Sequence, residues 1–125
     1  MKTQSEIPNL QSKISMWHFY PGQYMPSYQV NRALSQAHYG GGEFAEIIEV
    51  AQKIDPENRE SFNVAWLEKG NQVFGWAEDF EKNNAPVSAR RTYLRAFNYL
   101  RTAEFFMNLK DDRKLDTYTK AREAF

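Results

Sequence analysis

The chain has 125 residues, with 16 Lys and Arg against 16 Asp and Glu, for a formal net charge of +0. That length suits one domain with a modest core and leaves little over to enclose a deep active site. Balanced charge gives no reason to expect a nucleic acid or an anionic membrane as partner. The absence of cysteine excludes disulfides and thiolate metal sites.

Residues 1–13 are polar and read as a flexible N-terminus without the apolar core of a signal peptide. No apolar run is long enough to span a bilayer, so the cytoplasm is the default location. Ile14 to Tyr20 is a short apolar segment closed by Pro21-Gly22. It is too short to assign by period, and an extended arm packed on the rest is the reading taken.

Tyr20 to Ser27 reads as a loop, because Pro21, Gly22 and Pro26 all punctuate it. A helix is predicted from about Ser27 to His38, with Val30, Ala33, Leu34 and Ala37 on one face. Gly40-Gly41-Gly42 should end it, since glycine takes the left-handed conformation without steric cost. The next helix is predicted from about Glu43 to Ile54, with Phe44, Ile47, Ile48 and Ala51 as its stripe. Glu43 and Glu46 near its start and Lys53 near its end suit the helix dipole.

A long helix is predicted from about Ser61 to Lys82, with a possible extra turn before it. Its inner stripe is Phe62, Trp66, Val73, Ala77 and Phe80, with Gly70 in register. Asn83-Asn84 turns the chain into a second long helix, Pro86 to Leu109. Pro86 suits a first helical turn, where its missing N–H is not needed. Ala89, Tyr93, Ala96, Phe97, Leu100, Ala103 and Met107 recur at steps of three and four, widened by Leu94, Phe105 and Phe106. So short a turn predicts antiparallel packing of the two helices. A last helix starts at Asp111 or Asp112, either of which can cap it, with Leu115, Tyr118, Ala121 and Phe125 on its apolar side. The chain stops on an apolar residue, which reads as a helix covered by something else or as a polypeptide that continues. The expected fold is all-α: about five helices in a bundle built on a hairpin, with a short extended N-terminal arm.

Candidate chemistry is sparse. His38-Tyr39-Gly40-Gly41-Gly42 invites comparison with the oxyanion loop of lipases, but helices flank it and a plain interhelical turn is preferred. No Gly-x-Ser-x-Gly occurs, and no spacing singles out a Ser/His/Asp trio. His18 and His38 lack metal-ligand spacing, so no metal or other cofactor is expected. Glu78, Asp79 and Glu81 should face Arg90, Arg91 and Arg95 as exposed ion pairs across the hairpin. The most unusual segment is WHFYPGQYMPSY, in which aromatics sit on a Pro/Gly-restrained loop. It reads equally as a loop tucked on the core or as a preformed apolar wall with hydroxyl handles.

The runs PGQYMPSYQVNRAL, YGGGEFAEI and SARRTYLRAFNYLRTAEFF, the last followed by DDRK, resemble the N-terminal helical region of certain α/β-hydrolases. These include bacterial pseudooxynicotine hydrolases and fungal hydrolases that shorten a polyketide in pigment synthesis. The resemblance covers about residues 14–125. It implies a helical cap domain that shapes the substrate cavity of a serine hydrolase. The nucleophile, acid and histidine of that family lie in a later sheet domain, so no catalytic residue carries over onto this chain. The implied partner is that catalytic domain, in the same or a separate chain. A small-molecule substrate, with an ester, amide or cleavable carbon–carbon bond, is expected only with it. Trp17, Phe19, Tyr24 and Tyr28 are the residues expected to line the cavity. A cap parted from its enzyme should also self-associate into a homo-oligomer. A stand-alone helical adaptor of the tetratricopeptide kind is the alternative, since Trp66, Gly70, Ala89, Tyr93 and Ala96 have some of that pattern. Only one such unit is found, without an internal period, and such repeats need about three for stability.

Overall fold

A computed structural model describes residues 18–125, and among them every regular element is helical. The helices are α1 (Tyr24–Ser35), α2 (Phe44–Lys53), α3 (Arg59–Lys82), α4 (Pro86–Phe105) and α5 (Asp112–Ala124). A single 3-10 turn, Gln36–Tyr39, follows α1. The all-α expectation is met. Of the expected N-terminal arm only residues 18–20 are described; the rest, with Trp17 and residues 1–13, lies outside the described residues. No helix among the described residues is long and apolar enough to cross a membrane.

The antiparallel hairpin α3–α4 is the spine. Trp66, Val73, Ala77, Ala96, Leu100 and Ala103 are wholly buried along its seam. A Cβ at Gly70 would sit 2.6 Å from Leu100 Cδ2, so the missing side chain is what lets the two helices meet there. Asn58 caps α3 by accepting from the Glu60 N–H, which starts the helix two residues earlier than its apolar period suggests. Asn84 turns the corner at φ 56°, a left-handed conformation that asparagine tolerates. α4 ends at Phe105 rather than Leu109. The chain turns there through Glu104–Met107, and Lys114 of α5 donates to the Glu104 carbonyl at 2.8 Å.

α1 differs from expectation at its start. Tyr20-Pro21-Gly22-Gln23 closes a turn by a 2.9 Å bond from Gln23 N–H to Tyr20 C=O, with Gly22 at φ 81°. The helix then begins at Tyr24, so Pro26 lies inside its first turn, where no amide is needed for the helix ladder. The expected loop therefore ends before Tyr24. Val30 and Ala33 are buried as predicted, but Ala37 is exposed, because the tighter turn after Ser35 rotates it out of the stripe. Gly40 at φ 83° ends that turn, which makes His38–Gly42 the interhelical turn the sequence suggested.

α2 packs on the spine through its start, where Glu46 meets Arg95 and Tyr99. Its N-cap is Glu43, whose carboxylate accepts from the Ala45 and Glu46 N–H groups. Ile47, Val50 and Ala51 face the core, whereas Phe44 is 54% exposed. α5 is capped by Asp111, as the sequence indicates. Its inner face is Thr117, Ala121 and Ala124. Leu115, Tyr118 and Phe125, expected on that face, are exposed. A 13-residue helix is about 20 Å long and α2, at 10 residues, about 15 Å, against about 36 Å for α3. Phe80, periodic with the core, is nevertheless 40% exposed, together with Trp76 and Val87.

Candidate functional site

A polar clamp ties the glycine turn to the spine. Tyr99, wholly buried on α4, donates to Glu46 Oε1 at 2.7 Å and accepts from the Glu43 N–H at 2.9 Å. Arg95 grips the same carboxylate through Nε at 3.0 Å and Nη2 at 3.3 Å, a two-pronged charge-assisted contact. Asn98 donates to the Gly41 carbonyl at 2.8 Å. A Cβ at Gly41 would collide with the Asn98 amide, and one at Gly42 would crowd Ile47 and the Ala33 carbonyl. The run YGGGEF is thus a packing device. Burial, and then the Glu46 charge, push the Tyr99 phenol far above its ordinary range and keep it neutral.

This clamp corrects one expectation. Arg95 pairs with Glu46 of α2, not with the acids of α3. Across the hairpin the contact formed is from the Tyr93 hydroxyl to Glu81 at 3.2 Å. Arg90 and Arg91 are exposed and make no ion pair among the described residues.

The aromatic segment gives the second feature. Tyr24 and Tyr28 are one helical turn apart on α1, not on a loop, and their rings stack with centroids 5.8 Å apart. They are 64% and 42% exposed. Arg32 continues the row and lies 6.0 Å from the Phe105 ring, itself exposed on α4. Phe19 is half-buried beside Tyr20, which is anchored by a 2.7 Å bond from its hydroxyl to the Ala51 carbonyl. Burial pushes the Tyr20 phenol up to about 12.

Tyr24 also edges a cleft of about 410 Å³, with Met25 and Pro26 on one wall, the 54–59 loop on the other, and Phe62 and Phe106 lining it. Three of its polar side chains are already engaged. Asp55 accepts from the Glu57 N–H, Asn58 caps α3, and Arg59 lies 6.0 Å from the Phe106 ring. Of the four residues expected to line a cavity, the structure brings Tyr24 and Tyr28 together, leaves Phe19 away from this cleft, and does not describe Trp17. The sequence reading missed Phe105 and Arg32 as neighbours of the tyrosine row, and it missed the Tyr99 clamp. Tyr99 stands three residues after Ala96 and four before Ala103, so helical period alone could have placed it in the seam.

His18 and His38 are exposed, and no group of three His, Asp or Glu able to hold a metal occurs among the described residues. The surface offers flat apolar area with phenol hydroxyls at its edge.

Comparison with known proteins fits this picture. The chain is 39% identical over 98 residues to the alpha/beta hydrolase psoB of Aspergillus fumigatus, an alignment covering 75% of the chain and 22% of that protein. It is 32% identical over 113 residues to the alpha/beta hydrolase xenA of Xenoacremonium sinensis, covering 88% of the chain and 26% of that protein. The hydrolyase poxO of Penicillium oxalicum is 32% identical over 93 residues, 74% of the chain and 22% of its own length. No protein-family model matches the chain, and no solved structure matches it significantly. Over most of its length the chain is therefore homologous to a segment of α/β-hydrolases, and it spans about a quarter or less of the curated relatives it matches. The sheet-borne serine elbow of that family has no counterpart in this sequence.

Proposed function

We propose that this chain is the helical cap segment of an α/β-hydrolase, which shapes the substrate cavity over a catalytic domain supplied in the same or another chain. The observation that carries this reading is the pairing of sequence and surface. A segment homologous to part of a hydrolase keeps a stacked, solvent-facing Tyr24–Tyr28 pair that its own core does not need. Exposed rings at one edge of a small bundle suit a wall that another body completes. In that role the segment excludes water from the reaction and sorts substrates by fit, while the serine, histidine and acid belong to the partner domain. The substrate class is a small molecule with an ester, amide or cleavable carbon–carbon bond beside a carbonyl.

The adaptor reading gains nothing from the structure. Helices of 24 and 20 residues already exceed the roughly 34 residues of a tetratricopeptide unit, and among the described residues no second hairpin of that kind stacks on them.

A chimaera tests the proposal. The matched segment of the Aspergillus fumigatus hydrolase is replaced by this chain and assayed on acyl and aryl esters, alongside the same chimaera carrying Tyr24→Ala and Tyr28→Ala. Retained hydrolysis whose substrate preference shifts again in the double variant supports the reading. Identical kcat/KM across the panel with and without the two tyrosines would count against it.

A further inference from the structure

We propose that the flank of the tyrosine wall, from Arg32 across Phe105 and Arg101 to Tyr118, is the seam by which this segment seats on a catalytic domain, and that a carboxylate of that domain pairs with Arg32. The proposal rests on the cap reading above. Arg32 is a guanidinium held in place without a counter-ion. Its Nε donates to Gln29 Oε1 at 3.0 Å and its Nη2 to Thr102 Oγ1 at 3.5 Å, and Gln29 and Thr102 are both buried. It lies 6.0 Å from the Phe105 ring and one helical turn beyond Tyr28. Arg95, Arg101 and Arg113 each hold a carboxylate, but Arg32 holds none among the described residues. The helices that carry it do not supply one. α1 has no Asp or Glu, and the one acid of α4, Glu104, sits between Arg101 at 3.0 Å and Lys114 at 2.8 Å. Holding a long side chain in one geometry costs entropy, and a guanidinium so held meets an arriving carboxylate in two prongs without that cost.

The shape of the row indicates what arrives. It continues from Phe105 to Arg101, one turn earlier on α4, and from there to the Tyr118 ring of α5, 5.1 Å from the Arg101 guanidinium. Phe105 is 52% and Tyr118 38% exposed. Crossing three helices at about 8–10 Å per spacing, the row spans roughly 20 Å, wider than a small ligand and on the scale of a protein face. Tyr, Phe and Arg are the side chains that anchor such faces. The Aspergillus fumigatus and Xenoacremonium sinensis hydrolases carry the matched segment as 22% and 26% of their length, each together with a body roughly three times its size. The seam starts one turn from Tyr28, so a body seated on it also closes the space that the tyrosines wall.

The test uses two chimaeras, in which the matched segment of the Aspergillus fumigatus or of the Xenoacremonium sinensis hydrolase is replaced by this chain. Hydroxyl-radical labelling of Phe105 and Tyr118 is compared between each chimaera and the chain alone, with Trp76 and Phe80 as exposed rings off the row. Phe105 and Tyr118 are expected to label about five-fold more slowly in the chimaera, as rings enclosed at an interface do, and Trp76 and Phe80 at an equal rate. Arg32→Glu should return both rings to their rate in the chain alone, Arg32→Lys should keep most of the protection, and circular dichroism of the isolated variants should show unchanged helix. A chimaera that hydrolyses esters with Phe105 and Tyr118 as open as in the chain alone overturns the seam and leaves the cap reading standing. Protected rings without hydrolysis support the seam and count against the cap reading. Protection that survives Arg32→Glu, or that appears only when an ester substrate is added, overturns the proposal, as does failure of both hosts to fold around the segment.

Discussion

The Tyr99 hydroxyl sits between two parts of one helix start, 2.7 Å from Glu46 Oε1 and 2.9 Å from the Glu43 amide nitrogen. One phenol thus satisfies a backbone donor that α2 leaves unpaired and orients the carboxylate that Arg95 grips. Tyr99→Phe keeps the ring against Trp66 and removes only the hydroxyl. The variant should lose roughly 1–3 kcal/mol, the cost of an unsatisfied buried polar group, read as a lower urea midpoint at unchanged m value.

Two glycines of α3 should respond to alanine with opposite sign. At Gly70 the new Cβ meets Leu100 Cδ2 at 2.6 Å and its backbone nitrogen at 3.2 Å, so the helices must part. Overpacking of this kind costs about 1–3 kcal/mol and outweighs the gain in helix propensity of about 1 kcal/mol. At Gly75 nothing lies within 4 Å. Gly75→Ala should stabilise by up to about 1 kcal/mol. Thermal melts of the two variants check both.

These same positions mark what could be read from the sequence. Periods of three and four placed all five helices and the seam of α4, and the residue types at Asp111 and Gly40 placed a cap and a stop. Gly70 and Gly75 both read as marks of close helix contact, but only Gly70, in register with the buried stripe, meets its neighbour; a Cβ at Gly75 would meet nothing within 4 Å. Period says which face turns inward, but not how far the neighbouring helix extends. Phe80 and Leu115 repeat correctly and stay exposed, because nothing lies over them. Pro26 was read as a helix breaker, although the first turn of a helix accepts it. Arg95 reads as a partner of the acids across the hairpin, Glu78, Asp79 and Glu81, whereas Glu46, 49 residues away, wins by geometry. The four aromatic site candidates read as one restrained loop, whereas Tyr24 and Tyr28 stack at helical spacing on α1.

Alkaline pH should expose the burial of Tyr20. Its pKa rises from 10.0 to about 12 on folding, because its phenol is buried. The folded state holds the proton that the unfolded state releases, so its contribution is complete below about pH 10 and is lost as pH climbs to about 12. Tyr20→Phe should lessen the wild-type fall in stability over that window and leave the part that the more strongly shifted Tyr99 contributes. Urea midpoints at pH 9 and pH 11.5 decide it.

Acid should act through Asp111. Hydrogen bonds from the Arg113 side chain and then its backbone N–H hold its carboxyl near 2, below the ordinary 3.8. A lowered folded pKa gives stability that is present above about pH 4 and disappears as pH falls towards 2. Asp111→Asn, which can still cap α5, should be weaker than wild type at pH 6 and indistinguishable from it at pH 2. Chemical denaturation at the two pH values checks the convergence.

The near contact of Gly70 with Leu100 also acts as a fulcrum. From Gly70 to the corner at Asn83 the helix runs 13 residues, a lever arm of about 20 Å. A change of about 10° in the crossing angle there would carry the corner about 3.5 Å sideways, and the exposed side chains of Trp76, Phe80 and Val87 would travel with it.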